Sequence, residues 1–436
     1  MNDKIRPYPM TRPRVALIGG CRTPFAKAGT AYRDLTALDL AKACVRELLE
    51  RAEIDTAAIE TVVMGQVIPS VKAPNLGREV TLRTGLSPGT PAHTVNRACA
   101  SAVEAIAEVT LSIQAGHAAV GIAGGAESLS DVPILHSRRM AQALVEASRA
   151  RSLGGRLKAF AGVRLRDLIP ETPAIAEPST GLTMGQSAEK MARENGISRE
   201  EQDEIAYLSH KNAAAAVDDG RLPAEMCRVP VPPRYETVVT GDNLLRRDTT
   251  LAALAALPPV FDRRYGTVTA GNSSPLTDGA AAVLLAEEER AKALGYEPLA
   301  YVKEWASAAV DPGGQLLMGP ALAIPMCLER AGLTLADMDL IEMHEAFASQ
   351  VASNIQALES ETWAKEKLGR TSPVGKVDRS RLNVCGGSIA IGHPFGATGA
   401  RLATTLAREL ARRNGKFGLI SVCAQGGMGF AMILER

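Results

Sequence analysis

The stretch AGHAAVGIAGGAES, residues 115–128, runs from a glycine turn through a short apolar segment into a glycine-rich exit. An apolar run of that length between glycines is typical of a buried strand. The stretch NGKFGLISVCAQGG (414–427) has the same order, and TAAIETVVMGQVIPS (56–70) is matched by LADMDLIEMHEAFAS (335–349). Two pairs of matched units predict a chain that is built from two similar halves.

Strand-like and helical patterns alternate around these units. RVALIGG (14–20) and ETVVMGQV (60–67) have the composition of buried strands, and residues 35–54 between them carry apolar residues on one helical face. This alternation predicts an α/β fold with a mostly parallel sheet and helices on its faces.

Residues 129–249 match neither half and are rich in Arg and Pro, which indicates an insertion carried by the first half. The sequence therefore predicts three units. They are an N-terminal half of residues 1–128 and 250–290, an inserted loop domain of residues 129–249, and a C-terminal half of residues 291–436.

Composition excludes several classes of protein. The formal net charge is +1 and only 4% of residues are aromatic, which argues against a nucleic-acid partner. The seven cysteines are widely spaced and form no CxxC pair, so neither a disulfide framework nor a zinc site is expected. The first twenty residues lack the apolar core of a signal peptide, and no apolar run could span a bilayer. These features predict a reducing, cytoplasmic location.

Two cysteines stand where a reactive thiol could be useful. Cys99, in VNRACASAVEAI (95–106), lies at a predicted helix start, and the helix dipole there favours a thiolate. Cys423 ends a strand-like run and enters QGGMG. Each could instead be an inert buried thiol, which is the commoner role of a lone cysteine.

Two histidines occupy similar positions. His344 follows the run DLIEM, with Glu345 beside it to orient its ring or cap a helix, and His393 lies in the glycine-rich block GHPFGATG. His393 could be a base or a surface cap. Alternatively, the spacing GxxxGxxG weakly favours a nucleotide site. That spacing is formed by Gly392, Gly396 and Gly399.

Taken in order, these four stretches resemble the motifs of the thiolase family. That family has an early nucleophilic cysteine, then N-E-A-F, G-H-P-x-G-x-x-G and C-x-G-G, which here read Cys99, MHEAFA, GHPFGATG and CAQGG. Further stretches agree over nearly the whole chain: CRTPFAK (21–27), GGAES (124–128), TMGQSAE (183–189) and GTVTAGNSSPLTDGAAAVLL (266–285).

The resemblance implies two βαβαβαββ halves in layers of sheets and helices, with a loop domain inserted in the first. It also implies an acyltransferase of fatty acid β-oxidation that cleaves 3-ketoacyl-CoA through an acyl-enzyme. Cys99 would be the nucleophile, His393 its base and Cys423 the second acid and base. The backbone N–H groups of Cys99 and Gln425 would bind one oxyanion, and His344 together with His393 would bind the other.

The same resemblance implies coenzyme A as a co-substrate, no permanently bound cofactor and no metal. Arg246 and Ser274 would contact the nucleotide end of CoA, and Met184 and Met318 would line the pantetheine channel. An exposed arginine is more often merely solvated, and a methionine is more often part of the core.

The chain departs from the common family pattern at two positions. His344 replaces the usual Asn, and Gln425 replaces a frequent Gly. The histidine and residues 130–160 resemble the family branch that forms the β subunit of the trifunctional fatty-acid-oxidation complex. A homodimer and a hydratase–dehydrogenase α subunit are therefore the implied partners.

Residues 130–166 form a basic, amphipathic stretch in a nearly neutral chain. Three interpretations remain open for it: a solvated surface, an anionic membrane surface, or a docking site for the second subunit.

One other function remains open for the whole chain, and the presence of Cys99, His393 and Cys423 argues against two more. A biosynthetic thiolase would run the same chemistry towards condensation. A decarboxylating ketosynthase would have two histidines beside Cys99 and no Cys423, and a lipid-transfer relative would be expected to lack Cys99 or His393.

Overall fold

The computed structural model describes residues 12–170 and 176–436. Residues 1–11, part of the segment in which the sequence predicts no signal peptide, and residues 171–175 lie outside the described residues. The strands of the described residues are β1 Val15–Arg22, β2 Ala26–Lys27, β3 Thr61–Gly65, β4 Ala92–Val95, β5 Val120–Glu127, β6 Val229–Val231, β7 Thr237–Val239, β8 Thr277–Glu287, β9 Ala300–Ala309, β10 Leu340–Met343, β11 Phe417–Ala424 and β12 Met428–Glu435.

Helices connect these strands. The α-helices of the described residues are α1 Ala37–Ala52, α2 Leu76–Arg83, α3 Ser101–Gln114, α4 Arg138–Arg149, α5 Leu153–Ala159, α6 Met184–Glu194, α7 Arg199–Asp218, α8 Arg221–Glu225, α9 Leu251–Ala255, α10 Glu288–Ala293, α11 Gly319–Ala331, α12 Ala348–Glu359, α13 Glu361–Leu368, α14 Ser388–Ile391 and α15 Thr398–Arg413. Among them, none is both long enough and apolar enough to cross a membrane.

One large sheet runs through both halves in the order β10-β11-β12-β9-β1-β8-β5-β3-β4, and β2 pairs with β8 at its side. The first half contributes the order β1-β8-β5-β3-β4, and the second contributes β9-β12-β11-β10. A parallel bridge between Ile341 and Leu382 stands where the second half would have its counterpart of β4. The matching orders confirm the prediction of two similar halves.

The expectation of a mostly parallel sheet is wrong. β3, β4 and β5 are mutually parallel, as are β10 and β11, but the other neighbours in the large sheet are antiparallel. In each half the last strand turns back along its predecessor, β8 along β5 and β12 along β11. β1 and β9 then join the halves in antiparallel register.

The two halves differ in how the last strand is reached. Three residues, 425–427, connect β11 to β12, whereas residues 128–276 separate β5 from β8 and carry helices α4 to α9. The inserted segment therefore enters between two strands whose counterparts are joined by a tight turn. The limits 129–249 and the other domain boundaries stay a prediction.

Helices cover both faces of the sheet. On one face, Ile106 of α3 and Leu402 of α15 pack with Leu17 and Val422. On the other face, α1 packs against the strands of the first half and α11 against those of the second. The core therefore has helical layers on each side of the strands, as predicted.

The strand ends of the first half meet a loop of the second half at two glycines. A Cβ atom added to Gly125 of β5 would lie 1.9 Å from the carbonyl oxygen of Gly396, in the loop before α15. Only a residue without a side chain allows this close approach of backbone to backbone. The contact positions the His393 loop over the end of β5.

Replacing Gly125 by Ala should therefore destabilise the fold by about 1–3 kcal/mol, because the methyl group overpacks a site walled by backbone. Urea unfolding would measure the change. Gly241 is the matched control, since an added Cβ there meets nothing within 4 Å. An equal effect of Gly125→Ala and Gly241→Ala would contradict the proposed close approach.

Candidate active site

The four motif residues lie at the ends of strands or in the loops that follow them. Cys99 lies between β4 and α3, and His344 directly follows β10. His393 lies between α14 and α15, and Cys423 is near the carboxyl end of β11. In α/β folds these strand ends are where ligands are usually bound.

A tight turn presents Cys99 ahead of α3. Ala98 adopts a left-handed conformation with φ of 47°. The hydroxyl of Ser101 accepts a hydrogen bond from the N–H of Arg97 and donates one to the carbonyl of Ala98, at 2.9 and 2.6 Å. The helix begins at Ser101, which confirms that Cys99 lies just before a helix N-terminus.

The structure brings Cys99, His344 and His393 together. The Cys99 thiol sulfur and one nitrogen of each imidazole all lie within 4.8 Å of one another. The two imidazole rings are stacked at an angle, with centroids 4.1 Å apart. Residues from both halves of the chain therefore meet at one point.

Both histidines use Nδ1 for a hydrogen bond and leave Nε2 free. The Nδ1 of His344 is 2.8 Å from the Ser388 hydroxyl, and that of His393 is 2.6 Å from the Thr398 hydroxyl. Neither Nε2 atom has a hydrogen-bond partner among the described residues, although both are buried. A buried nitrogen without a partner in a site next to a thiol is suited to a reacting group.

Burial keeps the thiol and both imidazoles neutral. It raises the pKa of Cys99 to about 12, against which the N–H groups of Gln425 and of Cys99 itself act to lower it. Burial, assisted by the Arg401 guanidinium, lowers the pKa of His393 to about 3 and moves that of His344 well below its usual range. These directions favour a resting site in which Cys99 and His393 form no ion pair.

Both N–H groups lower the pKa of the Cys99 thiol, which is the sign expected of donors near its sulfur. Gln425 directs its side-chain amide away, to the carbonyl of Ala176 at 2.9 Å. A role of Gln425 through its backbone N–H alone stays a prediction.

Cys423 is 1% exposed and is the penultimate residue of strand β11. Burial raises the pKa of Cys423 well above the usual range, and the negative charge of a Cys99 thiolate nearby would raise it further. Met318 is buried in the same apolar cluster, and Met184 packs against it. Both methionines therefore pack in the apolar cluster that contains Cys423, and their place in the pantetheine channel stays a prediction.

The two residues predicted at the nucleotide end of CoA do not belong to the group formed by Cys99, His344 and His393. Arg246 is exposed, and its backbone N–H donates to Nδ1 of buried His210 at 3.3 Å. Ser274 is half-buried, and its N–H donates to the carbonyl of Ala346. Their contact with CoA stays a prediction.

The glycines of the GHPFGATG block pack against neighbouring backbone. A Cβ atom at Gly396 would meet the carbonyl oxygen of Gly65 at 2.7 Å, and one at Gly399 would meet the N–H of Val103 at 2.5 Å. Protein backbone therefore lies where a side chain would project from these two glycines, which accounts for them by packing and requires no nucleotide. Their function is close packing of the His393 loop on β3 and α3.

Glu345 does not orient a histidine. Its carboxylate accepts hydrogen bonds from the Ser209 hydroxyl, the Asn383 amide and the N–H of Ile389, at 2.7, 2.6 and 3.2 Å. It therefore holds the start of α14, which supports the helix-capping alternative.

Sequence reasoning missed three residues behind the histidines: Ser388, Thr398 and Arg401. Buried Arg401 donates to the Ser388 hydroxyl at 3.1 Å and to the Glu342 carboxylate at 3.4 Å. Thr398 lies five residues after His393 in the block already singled out, so a search for hydroxyls there could have found it. Nothing in the spacing indicates the Arg401 contacts.

Cys99, His344 and His393 are also the one group of three such side chains in residues 12–170 and 176–436 that could share a metal ion. The sequence-based expectation of no metal stays a prediction. A free thiol flanked by neutral imidazoles fits acyl transfer, in which a base takes the proton of the nucleophile.

Comparisons with known proteins agree with this geometry. The family models described as "Thiolase, N-terminal domain" and "Thiolase, C-terminal domain" match residues 15–289 and 296–436. A 3-ketoacyl-CoA thiolase of Escherichia fergusonii is 52% identical, and the match covers 97% of each chain.

Solved structures give the same result. A Bacillus anthracis acetyl-CoA acetyltransferase is 32% identical with a TM-score of 0.83, over 97% of this chain and 99% of that one. Human mitochondrial 3-ketoacyl-CoA thiolase in complex with CoA is 33% identical with a TM-score of 0.82, over 97% and 98%. The motifs, the paired halves and the thiol between two imidazoles thus have one explanation: the chain belongs to the thiolase family of acyltransferases.

Proposed function

We propose that the chain cleaves 3-ketoacyl-CoA with coenzyme A, giving acetyl-CoA and an acyl-CoA shortened by two carbons, in fatty acid β-oxidation. The observation that carries this proposal is the Cys99 thiol beside two imidazoles with unpartnered Nε2 atoms. The 52% identity to a protein named 3-ketoacyl-CoA thiolase supports the choice of substrate.

The first half-reaction begins with proton transfer. His393 takes the proton of Cys99 as the sulfur attacks the 3-keto carbon, so the thiolate forms only when a carbon is there to receive it. The bond between C2 and C3 then breaks, and acetyl-CoA leaves as its enolate. Cys423 gives that enolate a proton at carbon, and Cys99 keeps the shortened acyl group.

The second half-reaction returns both cysteines to their resting state. Cys423, now a thiolate, takes the proton of an incoming CoA thiol. The CoA sulfur attacks the acyl group on Cys99, and the Cys99 thiolate leaves and recovers its proton from His393. Each proton that left a protein group is thereby returned.

Two developing negative charges need hydrogen-bond donors. We assign the oxyanion of the acyl-enzyme to the N–H groups of Cys99 and Gln425, which both lower the pKa of the Cys99 thiol. We assign the thioester oxygen of the enolate to His344 and His393. Loss of one such donor typically costs about 3–4 kcal/mol of barrier.

Two histidines beside Cys99 are also what a decarboxylating ketosynthase would have. Cys423 distinguishes the two reactions, since its thiol supplies the proton that carbon–carbon thiolysis requires. The presence of buried Cys423, whose pKa the charge of a Cys99 thiolate raises, therefore favours thiolysis.

We also propose that Met184 and Met318 line the pantetheine channel and that Arg246 and Ser274 meet the nucleotide end of CoA. The packing of both methionines in the Cys423 cluster supports the first assignment.

A cytoplasmic location is proposed because all seven cysteines are free thiols. A homodimer is proposed from the family resemblance.

Steady-state thiolysis of 3-ketoacyl-CoA substrates of increasing chain length tests the proposed function. We expect turnover of substrates longer than four carbons. Activity confined to the four-carbon substrate would instead favour a biosynthetic acetoacetyl-CoA thiolase.

Cys99→Ala should abolish turnover and leave no acyl adduct by mass spectrometry, whereas Cys423→Ala should lose turnover but still acylate Cys99. An adduct on Cys423 would reverse the two roles.

The charge state of Cys99 gives a second prediction. Because burial raises the pKa of this thiol to about 12, it should stay protonated at neutral pH and ionise only in strongly alkaline solution. The difference in thiolate absorbance between the native protein and Cys99→Ala, followed against pH, measures this. A thiolate already present at pH 7 would show a preformed ion pair and contradict the stepwise proton transfer.

We further propose that the inserted stretch 130–166 docks a hydratase–dehydrogenase subunit, with contact to an anionic membrane possible alongside it. Its basic side chains are all exposed: Arg138, Arg139, Arg149, Arg151, Arg156, Lys158, Arg164 and Arg166. Large apolar side chains are exposed among them, with Leu153 at 74% and Leu157 at 69%. Exposed apolar groups rimmed by charge are typical of an interaction surface, and they argue against simple solvation.

Replacing Arg138, Arg149, Arg151 and Arg156 by Glu should abolish co-purification with the cognate hydratase–dehydrogenase, because the surface reverses its charge. Thiolase activity should persist. The control replaces four exposed arginines elsewhere, Arg33, Arg234, Arg290 and Arg370, in the same way. Liposome sedimentation of both variants tests the membrane contact. Unchanged behaviour in both assays would leave only a solvated surface.

A further inference from the structure

The two active-site histidines are adjacent and neutral, yet their proposed tasks differ. A base for Cys99 needs a lone pair on the nitrogen that faces the thiol, whereas a donor to an enolate oxygen needs a hydrogen there. A neutral imidazole has one nitrogen of each kind, and the partner of the other nitrogen decides which is which.

Thr398 determines which ring nitrogen of His393 carries the hydrogen. The Thr398 hydroxyl lies 3.3 Å from the carbonyl oxygen of Pro394, which can only accept, and 2.6 Å from Nδ1 of His393. The hydroxyl has a single hydrogen, and the Pro394 carbonyl, which also accepts from the N–H groups of Ala397 and Thr398, is its acceptor other than Nδ1. We assign the hydrogen to the carbonyl, because Nδ1 of His393 then carries a hydrogen, donates it to Thr398 and leaves on Nε2 the lone pair that the proposed base needs.

Ser388 determines which ring nitrogen of His344 carries the hydrogen, and the result is the opposite of that for His393. The Ser388 hydroxyl receives a hydrogen from the guanidinium of Arg401 at 3.1 Å, since arginine can only donate. Its own hydrogen has one acceptor among the described residues, Nδ1 of His344 at 2.8 Å. Nδ1 of His344 therefore accepts, and the hydrogen of that ring is on Nε2.

Arg401 is fixed in this orientation by its surroundings. It is fully buried, and its other amino group donates to the Glu342 carboxylate at 3.4 Å. A buried, charge-assisted contact of this kind leaves the guanidinium few alternatives. A chain of contacts thus runs from Glu342 through Arg401 and Ser388 to His344.

We propose that Ser388 and Arg401 are positioning residues that fix His344 as a permanent Nε2–H donor, while Thr398 fixes His393 as the Nε2 acceptor. This inference rests on the proposed function, because it assigns each histidine to one step of that reaction. Only His393 can then take the proton of Cys99. His344 enters the reaction already carrying the hydrogen that an enolate oxygen needs.

Nitrogen NMR of protein labelled with ¹⁵N-histidine tests the two forms directly. The chain has six histidines, and His344→Asn and His393→Asn identify the two signals. We expect the hydrogen on Nε2 of His344 and on Nδ1 of His393. Ser388→Ala should change the His344 signal alone, and the isosteric Thr398→Val should change that of His393. A hydrogen on Nδ1 of His344 in the native protein would overturn the proposal.

This measurement needs no turnover, so it distinguishes failure of the inference from failure of the proposed function. An inactive protein with the expected signals would refute the thiolysis and leave the assignment of the two rings intact.

Kinetics test whether Ser388 acts through His344. Ser388→Ala should lower kcat about 10- to 100-fold with a smaller change in KM, because the affected donor acts on charge that develops during the reaction. Ser388→Thr, which keeps the hydroxyl, should recover most of the loss. In a His344→Asn background, Ser388→Ala should have little further effect. An equal loss in both backgrounds would show a merely structural role and overturn the proposal.

Discussion

The active site depends on one contact between the two halves of the chain. The carboxylate of buried Glu127, at the end of β5, accepts hydrogen bonds from the N–H groups of Val67, Ile68 and Gly396 at 3.0–3.1 Å. Beside it, Gly125 and Gly396 bring the two backbones into direct contact. This contact fixes the His393 loop against the strand ends of the first half, where Cys99 lies. It acts together with the packing of Gly396 on Gly65 and of Gly399 on Val103, which hold the same loop.

Burial at this junction explains the electrostatics of the site. Removing water raises the pKa of both thiols and lowers that of both imidazoles, so all four groups rest in their neutral forms. Neutral groups cost less to bury than an ion pair, and charge then forms only during the reaction. The hydroxyls and N–H groups around them are already oriented for that charge. Such preorganised donors are what makes a buried site effective.

Much of this could be predicted from the sequence, because the reactive residues stand in short contiguous motifs. Cys99, His393 and Cys423 each lie at a glycine-rich strand exit or helix start, and the repeat of two strand units indicated the paired halves. The direction of the strands was harder. The three-residue link from β11 to β12 permits only an antiparallel pair, but β8 returns beside β5 after a long insertion that hides their pairing. The contacts of Arg401 with Ser388 and Glu342 could not be predicted, since they join side chains from different elements.

The insertion between β5 and β8 also affects how the chain can fold during synthesis. β5 pairs with β3, which precedes it, but its other neighbour, β8, follows only after residues 128–276 have been made. At ~5–20 residues per second, that edge of β5 stays unpaired on a ribosome for about 7 to 30 s. β1 likewise stays unpaired on one edge until β8 has been made, and on its other edge until β9 has been made. Open strand edges of apolar sequence are aggregation hazards, so the nascent first half is the stage at which this protein most needs a chaperone.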